Sequence, residues 1–204
     1  MTTKSEIESL LSLLEDPDPF IQESVQNRFS ELGENAVPLL DEYRIETQDL
    51  IEKSKVSSII HQLTFPTLKT DFHEVLEKGV RNRKTLELAA FTLSRFGNPT
   101  LRITDFEKQL DHFSEMVEPT IRYRLDERRK MKQLIKFVFE DLNFSGDTED
   151  YHNPANCFID QVIRRRRGLP STLSMGVMFL ARRLEMPFFG GKMPIEFMLN
   201  YVSE

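Results

Sequence analysis

The chain has 204 residues, 39% hydrophobic and 29% charged, with 27 Lys and Arg against 33 Asp and Glu and a formal net charge of −6. That is apolar enough to bury a core in one large or two small domains and too polar for a membrane protein, and no apolar run approaches the roughly 20 residues that cross a bilayer. One cysteine, Cys157, excludes an internal disulfide framework and any multi-cysteine zinc site.

Met1 to Glu6 lacks the apolar segment of a signal peptide, so residence in the cytoplasm is expected. Charge is uneven: residues 1–80 hold 7 Lys and Arg against 16 Asp and Glu, and the remainder 20 against 17. Such asymmetry points to two units that attract each other within the chain, or to a basic half that meets an anionic partner; the internal reading is preferred.

The first 64 residues read as helical. Ser5-Glu6-Ile7-Glu8 has capping-box spacing, and Ile7, Leu10, Leu11 and Leu14 follow on one face. Asp18 is a good N-cap and Pro19 suits the first helical position, ahead of a stripe of Phe20, Ile21, Val25, Phe29 and Leu32 that Gly33 ends. A third helix starts near Val37-Pro38 and continues, with a break near Thr47, through Leu50, Ile51, Val56, Ile59, Ile60 and Leu63 until Pro66 stops it. Leu10 to Leu40, with Leu-Leu-Glu-Asp-Pro-Asp-Pro, Val25, Glu31-Leu32-Gly33 and Ala36-Val37-Pro38-Leu39-Leu40, resembles one HEAT-type helical repeat, although no second copy follows at the expected period.

Helices continue beyond it. Asp71 to Val80 is short, Leu86 to Phe96 looks largely buried through Leu86, Leu88, Ala89, Ala90, Leu93 and Phe96, and Gly97-Asn98-Pro99 turns the chain. Thr104-Asp105-Phe106-Glu107 offers another capping box, followed by Phe106, Leu110, Phe113 and Val117. A longer helix is expected over 120–142, then a loop to Asn156, a helix from Cys157 to Arg166, and a central helix capped by Ser171 or Thr172 with apolar Met175, Val177, Met178, Leu180 and Leu184. Beyond Pro187, residues 188–191 and 195–202 alternate with period two and predict strands.

The segment 143–201 carries the strongest signal: Asn143-Phe144-Ser145-Gly146, Asp150 to Phe158, Arg165-Arg166-Arg167-Gly168-Leu169-Pro170, and Ala181 to Pro187. In order and spacing these resemble the SirB-type branch of the bacterial transglutaminase-like proteins, over about 86–201. The resemblance makes Asn156, Arg165, Arg166, Gly168, Pro170, Arg183 and Pro187 structural motif residues. It also implies an enzyme ancestor with a cysteine at the start of the central helix and a histidine and an acid on later strands, where helix-end amides and an imidazole favour a thiolate. Here Pro170, Ser171, Thr172 and Ser174 occupy the helix start, and Glu196 stands where the family has histidine. The acidic strand would fall beyond Glu204, so the domain is expected to be cut short at its C-terminus.

Cys157, beside Phe158 and Ile159, is expected to be buried as a small hydrophobe rather than to act as a nucleophile. His152, five residues earlier, could pair with it, but a loop histidine is more often solvated. Glu196 could serve Ser171 or Thr172 as a base, yet an ordinary glutamate, with a pKa of about 4.3, activates a hydroxyl poorly, and a polar contact or edge position is preferred. The four histidines show no metal-ligand spacing, so no metal and no cofactor are expected. Residues 121–136 carry seven Lys and Arg against Asp126 and Glu127, and 164–167 are all arginine; structural pairing is preferred to binding of an anionic polymer, and nucleic acid is not expected as a partner.

The sequence therefore predicts a predominantly α-helical α+β chain: a HEAT-like helical segment (1–66), then a partial transglutaminase-like helix-on-sheet unit (67–204). Its expected role is a non-catalytic protein-interaction or scaffold module, a pseudoenzyme. Its partner would be a protein or a second copy docking on an exposed sheet edge, without membrane insertion. The alternatives are a cysteine hydrolase or acyltransferase using Cys157, and anionic-polymer binding.

Overall fold

Helix α1 (Lys4–Leu13) starts where Thr3, still extended, accepts the Glu6 N–H on its hydroxyl at 3.2 Å. The computed structural model describes residues 3–79, 82–122, 126–192 and 197–201. The cap is thus two residues earlier than Ser5, because Thr3 and Glu6 share the spacing of Ser5 and Glu8 and the chain uses the first of the two overlapping boxes. Helix α2 (Pro19–Leu32) begins as expected, with the Asp18 carboxylate accepting the Phe20 N–H at 2.9 Å and Pro19 in the first turn. Gly33 ends it at φ +56°, a conformation in which any side chain would be strained. A single 3-10 turn (Gly33–Ala36) leads into α3 (Val37–Glu46).

Helix α4 (Leu50–Lys78) continues through Pro66, and the predicted short helix from Asp71 is its last part. An internal proline costs about 3 kcal/mol. Against that, Val56, Ile59 and Ile60 before it and Leu68 and Val75 after it are all buried, and each such side chain is worth about 1.5–3 kcal/mol. The Thr64 and Thr70 hydroxyls also donate to the Ile60 and Pro66 carbonyls, at 2.7 and 3.1 Å. Burial on one continuous face outweighs the local break.

By internal contacts the chain separates into two compact units, residues 1–71 with 98–101 and residues 72–97 with 102–204. In the first unit Ile7, Val25, Phe29, Ala36, Val37, Leu40, Val56, Ile59 and Ile60 form the core. Arg28 reaches from α2 to Glu6 on α1 at 2.6 Å.

In the second unit, α5 (Arg83–Ser94) begins with a full capping box at Asn82 and Thr85. Its buried face is not the leucines. Leu88 and Leu93 are each 44% exposed, whereas Phe91, Thr92, Ser94 and the carboxylate-bearing Glu87 are buried. Helix α6 (Ile103–Arg122) buries Phe106, Leu110, Phe113 and Val117, the predicted stripe. Ile103 is already helical, so Thr104 lies inside the first turn rather than capping it. The single helix expected over 120–142 is two: α6 ends at Arg122, and α7 (Glu127–Lys136) starts afresh from Asp126, whose carboxylate accepts the Arg129 N–H at 2.8 Å. A π turn (Phe137–Asp141) closes α7, with the Leu142 N–H on the Phe137 carbonyl at 2.8 Å.

The loop that follows contains β1 (Ser145–Gly146), paired in parallel with β2 (Arg167–Gly168). Between them, Pro154–Cys157 form a 3-10 turn, Phe158 is extended, and α8 (Ile159–Arg165) follows, in place of one helix from Cys157. Helix α9 (Pro170–Arg183) starts at Leu169, which has no capping side chain, with Pro170 in the first turn; Ser171 and Thr172 are already helical. Val177, Met178, Phe179, Leu180 and Ala181 are all buried, and α9 packs on α5, α6 and α8. Strands β3 (Phe188–Lys192) and β4 (Phe197–Tyr201) pair antiparallel and lie against α9. The result is a predominantly helical α+β chain.

Gly176 sits in mid-helix on α9 beside a small apolar cavity lined by Leu110, Phe113, Phe144, Ile159 and Val162, and an added Cβ would meet nothing within 4 Å. Alanine there removes the helix penalty of glycine without a clash. Gly176→Ala is expected to raise stability by about 1 kcal/mol, read as a melting temperature higher by about 2–4 °C. An unchanged or lower value would show that the cavity wall is already closed.

Candidate functional site

The start of α9 is built by residues far apart in sequence that converge on Asn156. The 3-10 turn buries this side chain completely. Its amide nitrogen donates to the Asp150 and Tyr151 carbonyls at 2.8 and 3.3 Å, and its amide oxygen accepts from Arg165 at 3.0 Å. Its backbone carbonyl accepts from the Thr172 hydroxyl at 2.8 Å. Arg165 also donates to the buried carboxylate of Asp147 at 2.8 Å. Arg166, the left-handed residue that ends α8, donates to the Leu142 carbonyl at 2.6 Å. Loop 142–156 is thereby tied to α8 and to the first turn of α9.

Gly168 lets this happen. A Cβ there would lie 2.6 Å from a Val162 methyl and 2.9 Å from the Thr172 oxygen. Pro187 follows the other end of α9, where Glu185 is left-handed at φ +57° and the Glu185 and Met186 N–H groups close on the Arg182 and Ala181 carbonyls at 3.2 and 2.8 Å. This is a Schellman motif with a proline after it.

A second polar cluster joins α5, α6 and α9. Glu87 accepts two bonds from Arg183, at 2.7 and 2.8 Å, and two from Arg182, at 2.9 and 3.2 Å; Arg183 also donates to Asp111 at 2.6 Å. The Glu87 side chain is 4% exposed and that of Arg183 8%. Sequence reasoning singled out Arg183 but missed Glu87. The available signal was a carboxylate on the same helical face as Phe91 and Ser94, at i, i+4 and i+7.

The catalytic candidates are distributed as follows. Thr172 is buried, and its hydroxyl points at two carbonyls, Asn156 at 2.8 Å and Leu169 at 3.0 Å. Ser171 is half-buried. Cys157 is exposed, contrary to the burial expected for it. The tight turn directs Asn156 inward, and the extended Phe158 breaks the helical face on which Cys157 would have been buried. His152 is exposed and stands edge-on to Tyr151, with ring centroids 5.4 Å apart. Among the described residues no hydrogen bond joins Cys157 to His152, and no group of three or more His, Cys, Asp or Glu converges as a metal site. Glu196 lies outside the described residues. The arginine run is used internally: Arg164 lies 5.2 Å above the Phe106 ring, Arg165 and Arg166 hold the loop, and Arg167 is 3.7 Å from Glu149.

The Asp147 carboxyl is held below the usual carboxylate range, first by the Asp150 N–H it accepts and then, against the effect of burial, by Asn156 and Arg165. With its folded-state pKa depressed, Asp147 contributes stability above the unfolded value of about 3.9, and that stability disappears as pH falls through the folded value. In urea titrations from neutral pH down into this acid range, Asp147→Asn is expected to flatten the acid limb. An acid limb of unchanged slope would show that other carboxylates carry it.

Residues 104–204 match the family model described as the transglutaminase-like superfamily. They form a transglutaminase-like domain. Outside the matched segment, α5 contributes Glu87 to the second polar cluster of the unit that contains this domain. The chain is 29% identical over 111 residues to a UPF0162 protein of Vibrio cholerae, an alignment covering 54% of this chain and 41% of that protein. It is 34% identical over 71 residues to a UPF0162 protein of Xylella fastidiosa, covering 35% of this chain and 25% of that protein. Similarity to the human F-box only protein 21 is 24% over 171 residues, 73% of this chain and 27% of that protein. The chain thus spans between a quarter and about two-fifths of the length of these curated relatives. No solved structure matches it significantly.

Proposed function

We propose that the chain is a non-catalytic protein-interaction or scaffold module of the cytoplasm, built on a SirB-type transglutaminase-like domain behind a HEAT-like helical segment. The observation that carries this reading is the buried Thr172 hydroxyl, donated to the carbonyls of Asn156 and Leu169 at the helix start where the resemblance puts the family's nucleophile. A hydroxyl that spends its proton on carbonyls does not present it to a base, and among the described residues the neighbouring polar groups of Asn156 and Arg165 are engaged in holding the loop. Self-association through an edge of the β3–β4 ribbon belongs to this reading, since an open strand edge offers main-chain groups to a further strand. Sedimentation that gives the monomer mass at every concentration would remove that part.

The rival is a cysteine hydrolase or acyltransferase. The exposure of Cys157, with exposed His152 five residues away, is the observation in its favour. Native protein treated with an alkylating thiol reagent and a fluorophosphonate, with adducts located by mass spectrometry, separates the two. The interaction module predicts alkylation of Cys157 at the rate of an ordinary surface thiol, unchanged in His152→Ala, and no adduct on Ser171 or Thr172. Rapid labelling of Cys157 that is lost in His152→Ala, or any stoichiometric adduct on Ser171 or Thr172, would establish the enzyme instead.

A further inference from the structure

Helix α7 has two faces of unlike purpose. Leu134 is fully buried, and α7 packs on α6 and α9 through that side. At 100° per residue, Arg128, Arg129, Lys132 and Lys136 fall on the half opposite Leu134, and all four are exposed. Glu127 and Lys130 lie toward the packed side and pair with each other at 2.6 Å. Arg129 reaches back to its own cap, Asp126, at 3.5 Å. Arg128, Lys132 and Lys136 stand at i, i+4 and i+8, and among the described residues none of them makes an ion pair; successive members are about 6 Å apart along the axis. Like charges at this spacing weaken a helix. The outward face therefore carries a local penalty that an anionic partner would relieve.

The row is short. Asp126 stands at its N-terminal end and Glu140 and Asp141 at its C-terminal end, all exposed. A phosphate chain running past either end would meet carboxylates, and the net charge of −6 opposes the approach of any long polyanion. An acidic peptide segment of two or three helical turns fits between the two ends and, with fewer charges, is opposed less by the net charge. From this juxtaposition of three unpaired cations at one-turn spacing between two acidic ends, we infer that the outward face of α7 docks an acidic protein segment. This rests on the interaction-module reading and names its partner's chemistry.

The test uses the full chain and a labelled short peptide with glutamate at every fourth position in an Ala/Gln background, followed by fluorescence anisotropy across salt concentration. The wild type is expected to bind it and not the peptide with glutamine at the same positions. Arg128→Gln/Lys132→Gln/Lys136→Gln is expected to weaken binding about tenfold, from three exposed pairs of modest strength each. Lys69→Gln/Lys84→Gln/Lys108→Gln, with the same change in net charge at other exposed lysines, should leave binding unaltered. The charge-reversed variant Arg128→Glu/Lys132→Glu/Lys136→Glu should reverse the preference toward a lysine peptide. Equal loss in the two triple variants, or equal binding of the glutamine peptide, would overturn the assignment. Tighter binding of an oligothymidine, lost in the α7 variant, would overturn it in favour of nucleic acid. None of these results alters the labelling of Cys157 or Thr172, so failure of this surface and failure of the non-catalytic reading are separately visible.

Discussion

Glu87→Ala is expected to destabilise the chain by about 3–5 kcal/mol, because it removes one partner of a buried ion pair and leaves the other uncompensated. Arg183 has little room to escape. Its guanidinium is 8% exposed and keeps only the Asp111 contact and the Phe179 carbonyl once Glu87 is gone. Arg182, more open to solvent, can turn its charge to water. At this chain length the loss corresponds to a melting temperature lower by about 10 °C. The double variant Glu87→Leu/Arg183→Met removes both charges and replaces them with apolar volume. It should be more stable than Glu87→Ala, and also more stable than Arg183→Met, which leaves Glu87 with Arg182 alone. Thermal unfolding of the three variants decides it. A double variant whose loss equals the sum of the two separate losses would mean that the cluster contributes packing and no coupled charge.

Gly168→Ala should be the second large effect, and opposite in sign to Gly176→Ala only eight residues away. The added methyl would sit 2.6 Å from one Val162 methyl and 2.9 Å from the other, as well as 2.9 Å from the Thr172 oxygen. Both neighbours are buried, so neither can swing aside. Overpacking of this kind costs about 1–3 kcal/mol. Displacing Thr172 also breaks its bond to the Asn156 carbonyl, which adds the cost of an unpaired buried group, about 1–3 kcal/mol. The loosened loop 142–156 should then be cut faster by protease in native buffer. Melting temperature and the rate of limited proteolysis read the two consequences separately. A variant as stable as wild type would show that β2 can shift away from α8 without cost.

The order of helices and the late strands were legible in the sequence wherever local chemistry acts alone. Asp18-Pro19 and Gly33 bound α2 as their side-chain and backbone preferences require, and the stripe from Phe106 to Val117 marks the buried face of α6. Local reading failed where burial overrode it. Pro66 does not end α4, since the apolar face continues on both sides of it. Leu88 and Leu93 face outward on α5 because Glu87 and Phe91 take the inner side. The fresh start of α7 was available in Asp126 as a cap but was hidden beneath the continuing apolar pattern.

Of the candidate site, the sequence showed the pattern Asn156, Arg165, Arg166, Gly168 and the resemblance it carries, but not what each side chain touches. Arg183 lies 96 residues from Glu87 and 72 from Asp111, and Arg165 lies 18 from Asp147. Periodicity within one helix carries no information about partners at such separations. Exposure of Cys157 was equally hidden, since it depends on Phe158 being extended between a 3-10 turn and α8. By itself the sequence determined the succession of elements and the transglutaminase-like character of the second half, because capping, helical period and motif order act within a few residues. The tertiary structure alone decided which charges are paired and which are left open to solvent, because a buried carboxylate chooses its guanidinium by distance in space.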